Sequence, residues 1–174
     1  MKQLSESIRS IPDFPKKGIV FRDITTLLKN ADALYTAVNL LSKRYENSKI
    51  DKVVCIESRG FILGSALAVS LGAGFVPIRK KGKLPAEVIR EQYALEYGTD
   101  EIEMHVDAIQ PGERILLHDD LLATGGTMCA AIRLVGKLQA DIVGISFLIE
   151  LSFLNGRKNL PAYDIFSLIH YDSE

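Results

Sequence analysis

The sequence predicts an α/β protein built on a mostly parallel sheet, and three observations carry that prediction. Apolar runs too short for a helix alternate with amphipathic segments, no Pro/Gly/Ser linker interrupts the alternation, and residues with chemical character gather where the apolar runs end. Ala31 to Tyr45 comes first, with Leu34, Val38, Leu41 and Tyr45 at helical spacing. KVVCI at 52–56 follows, rich in β-branched residues and long enough only for a strand. The run FILGSALAVSLGAGFV at 61–76 is shorter than the ~20 residues of a membrane-spanning helix and is broken by serines and glycines. It reads as a buried helix over 61–71, a glycine turn and a strand over 75–78. ERILLHDD at 113–120 is a third strand. Met128, Ala131, Ile132, Val135 and Leu138 then trace one face of a helix, and DIVGISFLIEL at 141–151 returns to β. Parallel strands joined by helices need right-handed crossovers, which cover both faces of the sheet.

Lys80 to His105 departs from this rhythm. Ten of its twenty-six residues are charged, with weak alternation on either side of Tyr97-Gly98-Thr99-Asp100. A two-stranded excursion off the core fits, serving either as a solvated hairpin or as a lid over a ligand site.

Composition narrows the function classes. At 174 residues, 47% hydrophobic and 25% charged, the chain reads as a single globular domain over 1–174. Lys and Arg number 21 against 22 acids, a net charge of -1, so no overall basic field exists to hold a nucleic acid and any bound anion must be gripped locally. Met1 to Ser10 carries Lys2, Glu6 and Arg9 with no apolar stretch behind them, which does not match a secretory signal, and no segment suits a membrane; the expectation is a cytoplasmic protein. Cys55 and Cys129, far apart in apolar surroundings, read as reduced core thiols. His105, His118 and His170 show no metal-like spacing and read as structural or surface residues.

Ligands of open parallel sheets sit beyond the carboxyl ends of the strands. The most informative junction is ILLHDDLLATGGTM at 115–128, where Asp119 and Asp120 leave a buried strand and Ala123-Thr124-Gly125-Gly126-Thr127 opens a helix. Unpaired N–H groups and the helix dipole favour an anion there, the glycines let a phosphate approach the main chain, and Thr124 and Thr127 add hydroxyls. The lysine of a nucleotide-hydrolysing loop is absent, and the spacing is not that of a dinucleotide fold. Ionised Asp119 and Asp120 are acceptors suited to paired sugar hydroxyls or to hydrated Mg²⁺. A second junction, Cys55-Ile56-Glu57-Ser58-Arg59-Gly60, sets a guanidinium at a helix start; Arg59 there is either an anion ligand or a surface ion-pair residue. Arg79, Lys80 and Lys83 bring further positive charge to the start of the excursion. Gly18 to Asp23 offers an aromatic plane with main-chain donors and acceptors, although Phe21 taken alone is more often a core residue.

Ile115 to Thr127 resembles the phosphoribosyl diphosphate (PRPP) signature of type I phosphoribosyltransferases, and its LLATGGT ending is similar to the adenine-using branch. DFPKKGIVFRDIT, IESRGF, RKKGKLP, LEYG and LIEL follow the same family order, so the resemblance spans nearly the whole chain. It implies a Rossmann-like fold with a two-stranded hood, a base-binding segment over 1–30 and a mobile lid over 80–105. The implied reaction is transfer of the 5-phosphoribosyl group from PRPP to adenine, giving AMP and pyrophosphate, with Mg²⁺ carried by PRPP near Asp119 and Asp120 rather than held by dedicated ligands. By the same resemblance Asp119, Asp120 and Ala123 to Thr127 take the ribose and 5′-phosphate, while Ser58, Arg59, Arg79, Lys80 and Lys83 take the pyrophosphate. Val20, Phe21, Arg22 and Leu151 form the adenine pocket, and Glu96 and Tyr97 join Arg59 as catalytic residues. A cis peptide between Glu57 and Ser58, a homodimer and an Arg79 that reaches the neighbouring site are also implied. A transferase for another base, or a regulator that senses PRPP on the same scaffold, are the competing readings; LEYG and the Phe21 segment favour adenine, and the slight net charge disfavours a DNA-binding regulator.

Overall fold

The computed structural model describes residues 2–94 and 99–174. After a short first helix (α1, Lys2–Ser5), two brief strands, β1 (Arg9–Ile11) and β2 (Phe21–Asp23), pair antiparallel with Arg9 opposite Asp23. The one-turn helix α2 (Thr25–Leu28) leads into α3 (Ala31–Tyr45), whose start is capped by the Asn30 side chain accepting from the Ala33 N–H at 3.1 Å. Then β3 (Lys52–Ile56), α4 (Gly60–Leu71) and β4 (Gly74–Lys80) follow as the periodicity predicts, with Gly72 at φ 66° ending α4. The excursion is β5 (Val88–Ala94) and β6 (Thr99–His105); beyond it come β7 (Arg114–Leu122), α5 (Gly126–Gly136), β8 (Asp141–Leu151), two 3₁₀ turns and β9 (Ile165–Tyr171).

Among the described residues the main sheet has seven strands in the order β5-β6-β4-β3-β7-β8-β9. The five from β4 to β9 are mutually parallel, so their carboxyl ends share one edge. Alternate residues serve opposite faces: Val54, Ile56 and Leu117 pack beneath α5, whereas Val53, Cys55 and Leu116 pack beneath α3 and α4. Burial on both sides explains why β3 and β7 are nearly continuous apolar runs without the period of two.

Two expectations are revised and one element is added. The excursion does not leave the core, because β6 pairs antiparallel with β4, Arg79 opposite Glu103, and so prolongs the sheet edge. Cys129 is a half-buried residue of α5, not a core thiol; Cys55 is buried, and both are free. The strand β9 was not anticipated: its seven residues end in the exposed His170 and half-buried Tyr171, and pairing with β8 places it in the sheet.

His118 is fully buried in β7, its Nδ1 2.9 Å from Ser146 Oγ and its Nε2 without a hydrogen-bond partner. Burial disfavours the imidazolium and holds its pKa at about 4, below the usual 6.5. The unfolded chain therefore takes up a proton first as pH falls, and stability is lost between about pH 6.5 and 4, by about 3 kcal/mol in all. The expected outcome is that His118→Val loses less melting temperature between pH 7.5 and pH 5 than the parent chain in thermal unfolding. The buried aspartates are common to both proteins and cancel in the difference.

Candidate active site

Four strand ends bring the chemistry together. At the end of β3 the Glu57–Ser58 peptide is cis, and Arg59 immediately precedes α4. At the end of β7 come Asp119 and Asp120, followed by the loop into α5, where Gly125 has φ 85°, a conformation that favours glycine. β4 ends in Arg79 and Lys80, and β8 in Leu151. Three cavities open along this edge. The largest, about 390 Å³, lies among Glu57, Ser58, Arg59, Arg79, Lys80, Asp119 and Asp120. A recess of about 90 Å³ is lined by Asp119 and the loop 121–128, and a third of about 140 Å³ by Ile19, Val20, Phe21, Arg22, Arg59, Leu121 and Leu151. Leu121 borders all three, so they form one continuous site.

The electrostatics are internally balanced. Arg59 Nε stands 2.9 Å from Asp120 Oδ2, and its guanidinium lies 5.1 Å over the Phe21 ring. Burial raises the pKa of both aspartates; the Asp120 charge raises Asp119 further, while Arg59 acts against the rise in Asp120. Glu57 accepts from Arg79 Nη2 at 2.8 Å and from the Lys80 N–H at 3.0 Å, and Arg79 holds its pKa below the usual carboxylate range. Lys80 Nζ pairs with Asp100 Oδ2 at 3.0 Å. The cations at this edge thus already face carboxylates of their own chain, a pattern that suits exchange for an incoming polyanion.

The structure brings most of the sequence-assigned residues into these cavities, with three qualifications. Lys83 lines none of them; its N–H donates to Glu103 and its carbonyl accepts from Arg79. Val20 and Arg22 border the third cavity, yet Arg22 and the neighbouring Asp23 are buried. The Arg22 side chain turns inward to Ser10 Oγ at 2.6 Å, and the Val20 N–H donates to Glu174 Oε2 at 2.8 Å, which leaves the carbonyl of Val20 free of that contact. Glu96 and Tyr97 lie outside the described residues. Three contributors were missed. Leu121 sits inside the quoted signature but carries no chemistry of its own. Glu57 was quoted without a role. Tyr93 lines the largest cavity and bonds to both Asp100, at 3.2 Å, and Thr127; no spacing rule points to it, because its partners come from β6 and α5.

Comparison with known proteins settles the family. The model of the phosphoribosyl transferase domain matches residues 23–173. The chain belongs to the phosphoribosyltransferase family. Among its relatives, an adenine phosphoribosyltransferase of Geotalea uraniireducens is 57% identical over 171 residues, 98% of this chain and 100% of the relative. The crystal structure of adenine phosphoribosyltransferase from Thermoanaerobacter pseudethanolicus superposes with a TM-score of 0.95 at 52% identity, covering 98% of this chain and 99% of that one. A Saccharomyces cerevisiae adenine phosphoribosyltransferase, solved with an imino-altritol bisphosphate and adenine, is similar at a TM-score of 0.91 and 38% identity over 96% and 97% of the two chains.

For a phosphoribosyltransferase, the attachment of the β5–β6 ribbon decides how much of it can move. Glu91 on β5 accepts from Arg133 Nε on α5 at 2.6 Å and faces Nζ of Lys137, the residue that caps α5, at 2.7 Å, while Glu103 on β6 accepts from the N–H groups of Lys83 and Leu84. The ribbon is fastened along its base on both sides. Glu91→Ala is expected to accelerate amide hydrogen exchange in β5 while the melting temperature changes by no more than about 3 °C, since half-exposed ion pairs contribute about 1 kcal/mol or less. Unchanged exchange in β5 would show that pairing with β6 alone holds the ribbon.

Proposed function

We infer that this chain is an adenine phosphoribosyltransferase, transferring the 5-phosphoribosyl group of PRPP to adenine with release of pyrophosphate, a purine-salvage reaction that yields AMP. The observation that carries the reading is the order of the three cavities around Leu121: a glycine-lined anion recess, an acid pair beside cationic side chains, and an apolar slot under Phe21. A 5′-phosphate fits the recess of Ala123, Thr124, Gly125, Gly126 and Thr127, at the amino end of α5. The ribose hydroxyls then fall to Asp119 and Asp120, and the pyrophosphate to Ser58, Arg59, Arg79 and Lys80. Adenine enters between Phe21 and Leu151 and presents its edge to the main chain of Val20 and Arg22. Its ring nitrogen thereby faces the anomeric carbon from the side opposite the leaving group. That carbon gains positive character as the bond to pyrophosphate lengthens, and the buried acid pair stabilises it.

Mg²⁺ is part of this reading. Asp120 Oδ2 is buried, accepts no hydrogen bond and is opposed only by the Arg59 ion pair, so hard carboxylate oxygens are available to a hydrated cation. Asp119 and Asp120 would hold it through water, and the ion would supply charge neutralisation for the departing pyrophosphate. Glu96, with Tyr97 beside it on the lid spanning 80–105, manages the proton of the purine ring; Arg59 steadies the leaving group. Lys83 joins the pyrophosphate ligands on closure of the lid.

The protein acts as a homodimer in the cytoplasm on this reading. Ile62 and Val69 on α4 remain exposed at 46% and 83%, with Phe75 on β4 packed against Phe61, an apolar face that a second copy would cover. Arg79 then sits within reach of the partner's site. The free thiols of Cys55 and Cys129 agree with a reducing compartment, and no described helix is long and apolar enough to cross a membrane.

Pyrophosphate release and formation of the corresponding nucleotide from PRPP and Mg²⁺, offering adenine, hypoxanthine, guanine, xanthine and orotate separately, test the assignment. Turnover with adenine alone is expected; turnover with another base, or none with intact PRPP binding, overturns it. Glu96→Ala is expected to lower kcat by about 10² or more, the usual contribution of a positioned acid or base. Phe21→Ala is expected to raise the KM for adenine about tenfold and the KM for PRPP by less, because the base loses its stacking wall while Arg59 loses only the ring beneath its guanidinium.

A further inference from the structure

The phosphate loop is supported by a segment that lines none of the three cavities. Gly156 is buried against residues 123 and 124, where an added Cβ would overlap the Ala123 carbonyl oxygen and come within 2.9 Å of Ala123 C and 3.1 Å of Thr124 C. The approach is mutual, because a Cβ on Gly125 would lie 2.8 Å from the Gly156 carbonyl oxygen. Two main chains therefore touch with no side chain between them. Asn159 adds a directed bond, its Nδ2 donating to the Thr124 carbonyl at 3.0 Å, and its own carbonyl accepts from Cys129 Sγ at 2.9 Å in the first turns of α5. The segment is itself anchored. Arg157 donates through Nε and Nη2 to the buried Glu150 carboxylate at 3.2 and 2.6 Å, and through Nη1 to the Ile165 carbonyl at 2.8 Å, which ties it to β8 and β9. Ser167 Oγ completes the bonding of Glu150 at 2.6 Å.

We propose that Gly156 and Asn159 are positioning residues for the 5′-phosphate, fixing the peptide planes of 123–125 so that the N–H groups opening α5 point into the recess before ligand arrives. The inference rests on the reading of 123–127 as the phosphate cradle. A loop carrying two adjacent glycines has a large conformational entropy to lose when it closes on an anion. Contact with Gly156 and the Asn159 bond remove that freedom in advance, so binding energy is not consumed in ordering the loop. Their effect belongs to ligands bearing the phosphate and not to the base or to the chemical step.

The test compares Asn159→Ala and Gly156→Ala with Thr127→Ala, a direct change in the cradle, measuring kcat, both KM values, the melting temperature and the affinity for ribose 5-phosphate by calorimetry. Asn159→Ala is expected to raise the KM for PRPP and the Kd for ribose 5-phosphate about three- to tenfold, the range for one lost hydrogen bond. Gly156→Ala is expected to raise them by more than about tenfold, with kcat at saturating PRPP and the KM for adenine within about twofold of the parent. If Gly156→Ala does not fold, Asn159→Ala decides. Unchanged PRPP and ribose 5-phosphate binding in these variants, alongside weakened binding in Thr127→Ala, overturns the positioning role and leaves the cradle reading intact. Unchanged binding in Thr127→Ala as well overturns the cradle reading and this inference with it. Losses shared equally by adenine, PRPP and kcat, in step with a fall in melting temperature, reduce both residues to general structural support.

Discussion

Asp119 and Asp120 leave a central strand of the sheet with little water around them, and two like charges so placed must be compensated or kept partly protonated. Much of the surrounding structure answers that constraint. Arg59 is brought up from the end of β3 to within 2.9 Å of Asp120, and the same guanidinium lies over Phe21, so the acid pair and the base slot are joined through one side chain. The tight passage of α4 past β7 adds to this. A Cβ at Gly60 would fall 2.8 Å from Asp119 Oδ1, so the first turn of the helix that presents Arg59 also closes over the acid.

A similar economy of charge extends across the Arg79–Lys80 side of the site. Arg79 is held by Glu57 and Lys80 by Asp100, so positive charge is oriented without being left unpaired. These pairs cross between elements, from β4 to the β3 loop and from β4 to β6, and they set the root of the ribbon relative to the anion site. Tyr93 extends the linkage, since its hydroxyl meets both Asp100 and Thr127. The ribbon and the start of α5 therefore meet through one residue that also walls the main cavity.

On the opposite side of the site, the loop 123–127 rests on a 3₁₀ turn whose own anchor is the Arg157–Glu150 pair. Glu150 immediately precedes Leu151, which borders the cavity beside Phe21. The end of β8 thus carries both a wall of that cavity and, through Arg157, the support of the glycine loop. One strand end fixes the spacing between the two recesses.

Much of the fold was legible in the chain because it rests on local causes. Periodicity marks α3, α4 and α5; continuous apolar runs mark β3, β7 and β8, since strands covered on both faces have no polar side to show. The ILLHDDLLATGGT string and its relation to a phosphoribosyltransferase were readable for the same reason, a strand end, an acid pair and a helix start being contiguous in sequence. What the sequence could not determine depends on contacts between distant residues. The inward turn of Arg22 needs Ser10 and Ser173, the docking of the ribbon on the sheet needs β4 and α5, and the exposure of Cys129 follows from where α5 lies. The pairings of Glu57 with Arg79, Tyr93 with Thr127 and Gly156 with the phosphate loop likewise exist only once the sheet is assembled, because no local propensity or spacing encodes a meeting of side chains many residues apart. Sequence alone specified the elements and the chemistry at their ends; tertiary packing decided which ends face one another, and with that the charge balance and geometry of the site.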